Sequence, residues 1–265
     1  MICVDGLWKS FGAQVVLRGV DLRVETGEFL ALIGLSGCGK SLLLKHLVRL
    51  MEPDRGRVLV GGRDLASLSR WELSAVRSRI GYVFQNSALF DSLTVYQNVA
   101  FPLRETARLS EPEIRRKTLA ELEMVGLERA AEKYPSELSG GMIKRVALAR
   151  TLVRDPQIVL FDEPTTGLDP LVSRAILRLF ASVHRDRQLT GILVSHDIPA
   201  IFGIVQRVAP CRGGTSTHLG RRSAGNRGRR PALPGSLRQG RGPHPAGRQG
   251  IRPHRTGESR LLLVQ

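Results

Sequence analysis

The apolar run FLALI, residues 29–33, leads directly into GLSGCGKS, Gly34 to Ser41, and then into the helical run LLLKHLVRL. A strand, a glycine-rich loop and a helix in that order match G-x-x-x-x-G-K-[ST], the phosphate-binding P-loop. No other stretch limits the fold as tightly, because the loop needs a strand behind it and a helix ahead of it. Glycines let backbone N–H groups curl round phosphate, the lysine reaches the outer phosphates, and the hydroxyl faces Mg²⁺. The residues expected to line a bound nucleotide are Gly34, Leu35, Ser36, Gly37, Cys38, Gly39, Lys40, Ser41 and Leu42. Cys38 is read as a small residue that fits the loop, with no chemistry of its own.

Further strand patterns follow in RIGYVFQ, QIVLFDE and GILVSHD, with helical patterns between them. Such alternation implies an α/β sheet. QIVLFDEP ends in two carboxylates. In isolation a DE pair is a capped turn after a strand, but a P-loop upstream gives it a second reading. Asp162 is then placed to hold Mg²⁺, and Glu163 to orient or deprotonate a water beside the γ-phosphate. His196 closes a similar strand, at the edge where ligands collect in parallel sheets, and is a candidate γ-phosphate contact.

The net charge of +16 is unevenly spread. Residues 209–265 contain 12 Arg, no Lys and one acid, whereas residues 1–208 are only mildly basic at +5. Arg, Gly, Pro and Ala make 33 of those last 57 residues, which include no aromatic side chain. So little apolar area cannot offset the entropy of ordering, and residues 209–265 are expected to be disordered. The abrupt change and the absence of Lys favour GC-rich DNA read out of frame over a natural basic arm for RNA or anionic lipid. No apolar run reaches 18 residues, and MICVDGLWKS lacks the basic and apolar regions of a signal peptide. Cys3, Cys38 and Cys211 have no CxxC spacing, so neither a disulfide framework nor a zinc site is expected.

LSGGMIKRVALAR, Leu138 to Arg150, places two glycines at the start of a helical pattern. A helix start offers unpaired N–H groups to an anion, yet no GKS or GKT lies here. In chain order the motifs are KSFG, GLSGCGKS, YVFQNSALF, LSGGM, FDEP, TGLD and SHD. Together they resemble the ATP-binding subunits of ABC transporters over residues 2–208.

The resemblance implies a P-loop NTPase of ABC type: a mixed central sheet, an N-terminal antiparallel β part, and a helical lobe inserted at about residues 87–155. It gives Phe11 an adenine-stacking role, makes Gln85 a γ-phosphate sensor and Mg²⁺ contact beside Ser41 and Asp162, ends the D-loop at Asp169, and makes His196 the switch histidine. It also implies a head-to-tail homodimer holding two ATP. In that dimer Ser139, Gly140 and Gly141 of one subunit close on the γ-phosphate held by the P-loop of the other. The helical lobe, including EPEIRRKTLAELEMVGLERAAEKY at residues 111–134, would touch an integral membrane permease, with Gln85 and NVAFPL forming the joint. The proline of FPL is read as ending a helix. The subunit would sit peripherally on the cytoplasmic face of the inner membrane.

Most family members carry Gln after LSGG, where this chain has Met142. That residue, with FQNSALFDSLTVYQNVAFPLRE and SHDIP, resembles the Mla-type or Mce-associated phospholipid-transport ATPases, which implies a lipid-carrier partner and no nucleic acid. The alternatives are another ABC importer, for amino acids or metals, a non-transport ABC ATPase acting on nucleic acid or ribosomes, and a truncated, poorly functional product with weak or concentration-dependent activity.

Overall fold

β1 (Ile2–Phe11) turns back through Gly12 and Ala13 into β2 (Gln14–Val24), pairing Ile2 with Val24 and Phe11 with Gln14. The free side of β1 takes β4 (Arg55–Val60), which is joined to β5 (Arg63–Asp64), giving a four-stranded antiparallel sheet in the order β2-β1-β4-β5. The computed structural model describes residues 1–106, 109–196, 201–212 and 215–216. The rest of the Arg/Gly/Pro tail lies outside the described residues, and with it most of the region expected to be disordered or out of frame.

The second sheet contains β3 (Phe29–Ile33), β6 (Ile80–Val83), β7 (Ile158–Asp162), β8 (Thr190–Ser195), β9 (Arg207–Arg212) and β10 (Thr215–Ser216). Their order is β10-β9-β3-β8-β7-β6, parallel throughout except for β10. β3 carries the P-loop and lies inside the sheet between β8 and β9. Successive residues of its strands face opposite ways. Phe29, Ala31, Val159, Phe161 and Leu193 enter one apolar cluster, while Leu30, Leu32, Leu160, Ile192 and Val194 enter another. Burial on both faces calls for continuous apolar runs, which is why these strands show no polar alternation.

Each cluster is closed by helices. α1 (Lys40–Leu47) buries Leu43, Leu44 and Leu47 against the second cluster, which it shares with the antiparallel sheet. α2 (Arg70–Arg77) starts with a capping box in which Ser69 and Glu72 exchange side-chain and backbone bonds. On the other face lie α6 (Pro170–Arg187), with Ile176, Leu177 and Phe180 buried, and the helical lobe. The lobe is built from α3 (Val95–Thr106), α4 (Glu111–Met124) and α5 (Gly140–Leu152).

Three boundaries differ from those expected. Pro102 lies inside α3 and does not end it. Fully buried Asn98 anchors the first turns: its side chain donates to the carbonyls of Phe90, Leu93 and Thr94 and accepts from the Phe90 N–H. The helical pattern of residues 111–134 breaks after Met124, because Gly126 takes a left-handed φ of 66° and the chain resumes as a short 3₁₀ turn at Glu128–Ala130. The change of composition at Val208 falls within β9, whose backbone pairs Ala209 with Leu32 and Pro210 with Ile33. Pairing of this kind uses main-chain groups, so Ala209 keeps the ladder, whereas Pro210, with no N–H, can join it only as an acceptor.

Candidate functional site

β3 ends at Ile33, and the loop that follows wraps its own lysine. Lys40 Nζ is buried and donates to the carbonyls of Gly34 at 3.0 Å and Leu35 at 2.9 Å. Left-handed φ values at Gly37 (79°) and Gly39 (95°) turn the loop into α1, a backbone that other L-residues rarely adopt. The first ladder bond of α1 runs from Leu43 N–H to the Gly39 carbonyl at 2.8 Å. The N–H groups of Lys40, Ser41 and Leu42 therefore precede the ladder and face an incoming anion.

The last residue of β7 meets this loop from across the sheet. Ser41 Oγ donates to Asp162 Oδ1 at 2.5 Å, although 121 residues separate them in sequence. The other carboxylate oxygen of Asp162 accepts from the hydroxyl of Tyr82 at 2.9 Å. Burial, and then the neighbouring carboxylate, push the Tyr82 phenol far above its ordinary range, so it stays a donor. A hydroxyl and a carboxylate beside the phosphate loop are hard oxygen donors of the kind Mg²⁺ takes, so these two residues fit the ion.

Glu163 lies one residue further along, with a left-handed φ of 45°. Such strain in a non-glycine residue persists only where surrounding bonds over-determine it. Here the Glu163 N–H donates to the Val194 carbonyl at 3.1 Å, and Thr166 returns to Glu163 twice, through its N–H to the carbonyl and its hydroxyl to Oε2, both at 3.2 Å. The twist brings Glu163 Oε1 to 4.0 Å from Lys40 Nζ and Oε2 to 3.8 Å from His196 Nδ1. The His196 ring is 62% exposed and has room to move. Lys40, Ser41, Asp162, Glu163 and His196 thus gather where β3, β7 and β8 end.

The remaining expected residues stand apart from that group. Gln85 is exposed, and among the described residues its side chain makes no hydrogen bond to Ser41 or Asp162. Its backbone is held from α5, where buried Lys144 donates to the Gln85 carbonyl. Arg150, one turn and a half further along α5, donates to the Ala88 carbonyl at 2.6 Å and lies over the Phe90 ring at 4.6 Å. Phe11 is half exposed at the tip of the β1–β2 hairpin, with Lys9 Nζ 5.9 Å from its ring centre.

Ser139 caps α5, accepting from the Met142 N–H at 3.3 Å. A methyl at Gly140 would meet Leu168 at 3.0 Å, and one at Gly141 would meet Val172 at 2.7 Å, so the start of α5 packs directly on the start of α6. Asp169 caps α6, accepting from the N–H groups of Leu171 and Val172. Ser139, Gly140 and Asp169 are all exposed. Tyr82, Lys144 and Arg150 carry no sequence signal of their own, because each acts on a partner at least 59 residues away.

A family model described as ABC transporter matches residues 17–166. The probable ribonucleotide transport ATP-binding protein mkl of Mycobacterium leprae is 44% identical over 195 residues, covering 74% of this chain and 56% of that protein. The chain therefore spans about half the length of the mycobacterial relatives it matches. The intermembrane phospholipid transport system ATP-binding protein MlaF of Haemophilus influenzae is 43% identical over 204 residues, covering 77% of each chain. The methionine import ATP-binding protein MetN of Xanthomonas axonopodis pv. citri is also 43% identical, over 224 residues, covering 83% of this chain and 67% of that protein. Among solved structures, a dimeric post-hydrolysis state of the ATP-binding cassette MJ0796 bound to ADP and Pi superimposes with a TM-score of 0.75. It is 33% identical, covering 83% of this chain and 98% of the other.

Proposed function

Because the chain belongs to the ABC transporter family, we propose that it is the subunit that binds and hydrolyses ATP to drive a membrane permease. The observation that carries this reading is the convergence of Lys40, Ser41, Asp162, Glu163 and His196 on one edge of the parallel sheet. Lys40 exchanges its loop carbonyls for phosphate oxygens. Ser41 and Asp162 hold Mg²⁺, which when bound neutralises phosphate charge. Glu163 takes the proton of the attacking water, and His196 steadies that carboxylate or the γ-phosphate. Phe11 supplies a stacking face for the adenine, and Gln85 reports the state of the γ-phosphate to the helical lobe.

The half-site at Ser139, Gly140 and Gly141 serves the nucleotide of a second subunit. The exposure of Ser139 and Gly140 supports this, as does the 13-residue helix behind them, whose N-terminus favours negative charge. Asp169 stands at the same junction of α5 and α6. On this reading two ATP molecules lie in a head-to-tail dimer at the cytoplasmic face of the inner membrane, and the permease docks on the helical lobe. Among the described residues no helix is long and apolar enough to cross a membrane.

For cargo we favour phospholipid, with a Mce-type carrier as partner. The likeness to MlaF supports it, together with Met142 in the signature. Methionine import is the second reading, because the likeness to MetN is equal. Proteoliposomes containing this subunit and its permease separate the two. ATP turnover that rises with phospholipid and its carrier supports lipid transport, and turnover that rises only with L-methionine overturns it. Turnover per subunit independent of protein concentration down to the nanomolar range would count against a dissociable dimer.

A further inference from the structure

Cys38 and Cys211 are far apart in sequence, but the fold brings them to the same point above the P-loop strand. Cys211 lies on β9, and its Sγ donates to the Cys38 carbonyl at 3.0 Å. Gly34 lies between them. A Cβ built there would be 2.9 Å from Cys38 Sγ, 3.3 Å from Cys211 Cβ and 2.5 Å from the Cys211 carbonyl. Only a bare backbone allows the two side chains to close over it. Cys38 Sγ also accepts from Lys40 Nζ at 3.8 Å, so this sulfur lies within the phosphate cradle. Cys38 is half-buried and open to a small oxidant, whereas Cys211 is buried behind it.

We propose that Cys38 and Cys211 form a redox site in which a peroxide converts the two thiols to a disulfide that closes the P-loop to nucleotide. The Cys38 thiolate attacks one oxygen of hydrogen peroxide, the O–O bond breaks, and hydroxide leaves and takes up a proton as water, giving a sulfenic acid. The Cys211 sulfur then attacks the Cys38 sulfur, the S–O bond breaks, and a second water departs with the Cys211 proton. Two thiols are oxidised and one peroxide is reduced to two waters. A disulfide holds its Cβ atoms about 3.5–4.5 Å apart, so the bond pins the loop to β9 across Gly34. In that position the carbonyls of Gly34 and Leu35 stay on Lys40, and phosphate cannot replace them. By linkage, nucleotide in the loop must oppose the disulfide to the same degree that the disulfide opposes nucleotide.

This inference rests on the nucleotide-binding reading of the P-loop, and its test keeps the two apart. The full chain carrying Cys3→Ser is treated with hydrogen peroxide, with and without ATP. Disulfides are mapped by mass spectrometry of unreduced peptides, and binding of a fluorescent ATP analogue is measured before oxidation, after it, and after dithiothreitol. The expected result is a Cys38–Cys211 linked peptide, loss of nucleotide binding that dithiothreitol restores, and slower linkage when ATP is present. Cys211→Ser should bind nucleotide as the parent does before oxidation and yield no linked peptide after it. Failure to find the linked peptide in a folded parent overturns the proposal, and so does a linked peptide with nucleotide binding intact. If the reduced chain binds no nucleotide, the P-loop reading fails, while the peptide map still decides the thiol pairing.

Discussion

Replacing Glu163 by Gln tests the chemistry with the least disturbance to the fold. The amide matches the carboxylate in size, can still accept from the Thr166 hydroxyl at 3.2 Å, and leaves the backbone bond from the Glu163 N–H to Val194 in place. What disappears is the ability to take a proton from water. A positioned general base contributes about 10² to 10⁴ in rate, or about 2.7–5.4 kcal/mol at 1.36 kcal/mol per tenfold. His196, with Nδ1 3.8 Å from the same carboxylate oxygen, is the nearest group able to stand in, and partial substitution would place the loss near the lower end. ATP binding should hold or tighten, because a negative charge 4.0 Å from Lys40 no longer faces the incoming phosphates. Single-turnover hydrolysis and equilibrium nucleotide binding, measured on one preparation, read both quantities. Turnover within threefold of the parent would refute the base assignment. A tenfold or greater loss of ATP affinity would show instead that Glu163 holds nucleotide.

Tyr82→Phe removes the donor to Asp162 Oδ2. A hydrogen bond to a charged group is worth about 1.5–3 kcal/mol, so urea unfolding should show a loss of that order and turnover should need more Mg²⁺. An unchanged Mg²⁺ requirement would deny Tyr82 any part in orienting the carboxylate. Arg187 Nη2 lies 2.7 and 2.8 Å from the two carboxylate oxygens of buried Glu121. Arg187→Ala should cost about 3–5 kcal/mol by stranding that carboxyl, and Arg187→Met with Glu121→Leu should recover most of it; the comparison of unfolding midpoints decides. His46 and His184 both have pKa values lowered chiefly by burial. His46 is almost wholly buried, and its Nδ1 meets the Leu42 carbonyl at 2.7 Å. The unfolded chain therefore binds protons more readily than the folded one, so stability is full above about pH 6.5 and falls as pH drops below it. Thermal unfolding from pH 7.5 to 5 should show that decline, and His46→Gln should flatten it; an unchanged slope would remove His46 as a cause.

The parallel sheet was legible because its strands are buried on both faces and so are written as unbroken apolar runs. FLALI, IVLFD and GILVS needed no partner to be recognised, and the P-loop joined to the first of them set the direction of the chain. What stayed hidden depends on distance. Nothing near Tyr82 says that its hydroxyl meets Asp162, and nothing in MIKR says that Lys144 reaches the Gln85 carbonyl. The path of α3 through Pro102 was equally unreadable locally, since the bonds that hold Asn98 come from the loop at Phe90 and Leu93. Cys211 was counted with a stretch whose composition suggested no fold at all, yet main-chain pairing with β3 extends into its first residues.

The P-loop strand pairs only with late arrivals. Phe29 is opposite Gly191 in β8, and Leu30 is opposite Arg207 in β9. During synthesis, FLALI leaves the ribosome about 160 residues before its first sheet neighbour, a wait of roughly 10–30 s at about 5–20 residues per second. Throughout that interval an apolar strand has two open edges and no native mate. A nascent chain of this kind should depend on a holding chaperone, and a ribosome that stalls between β3 and β8 should release an aggregating fragment and no partly active enzyme.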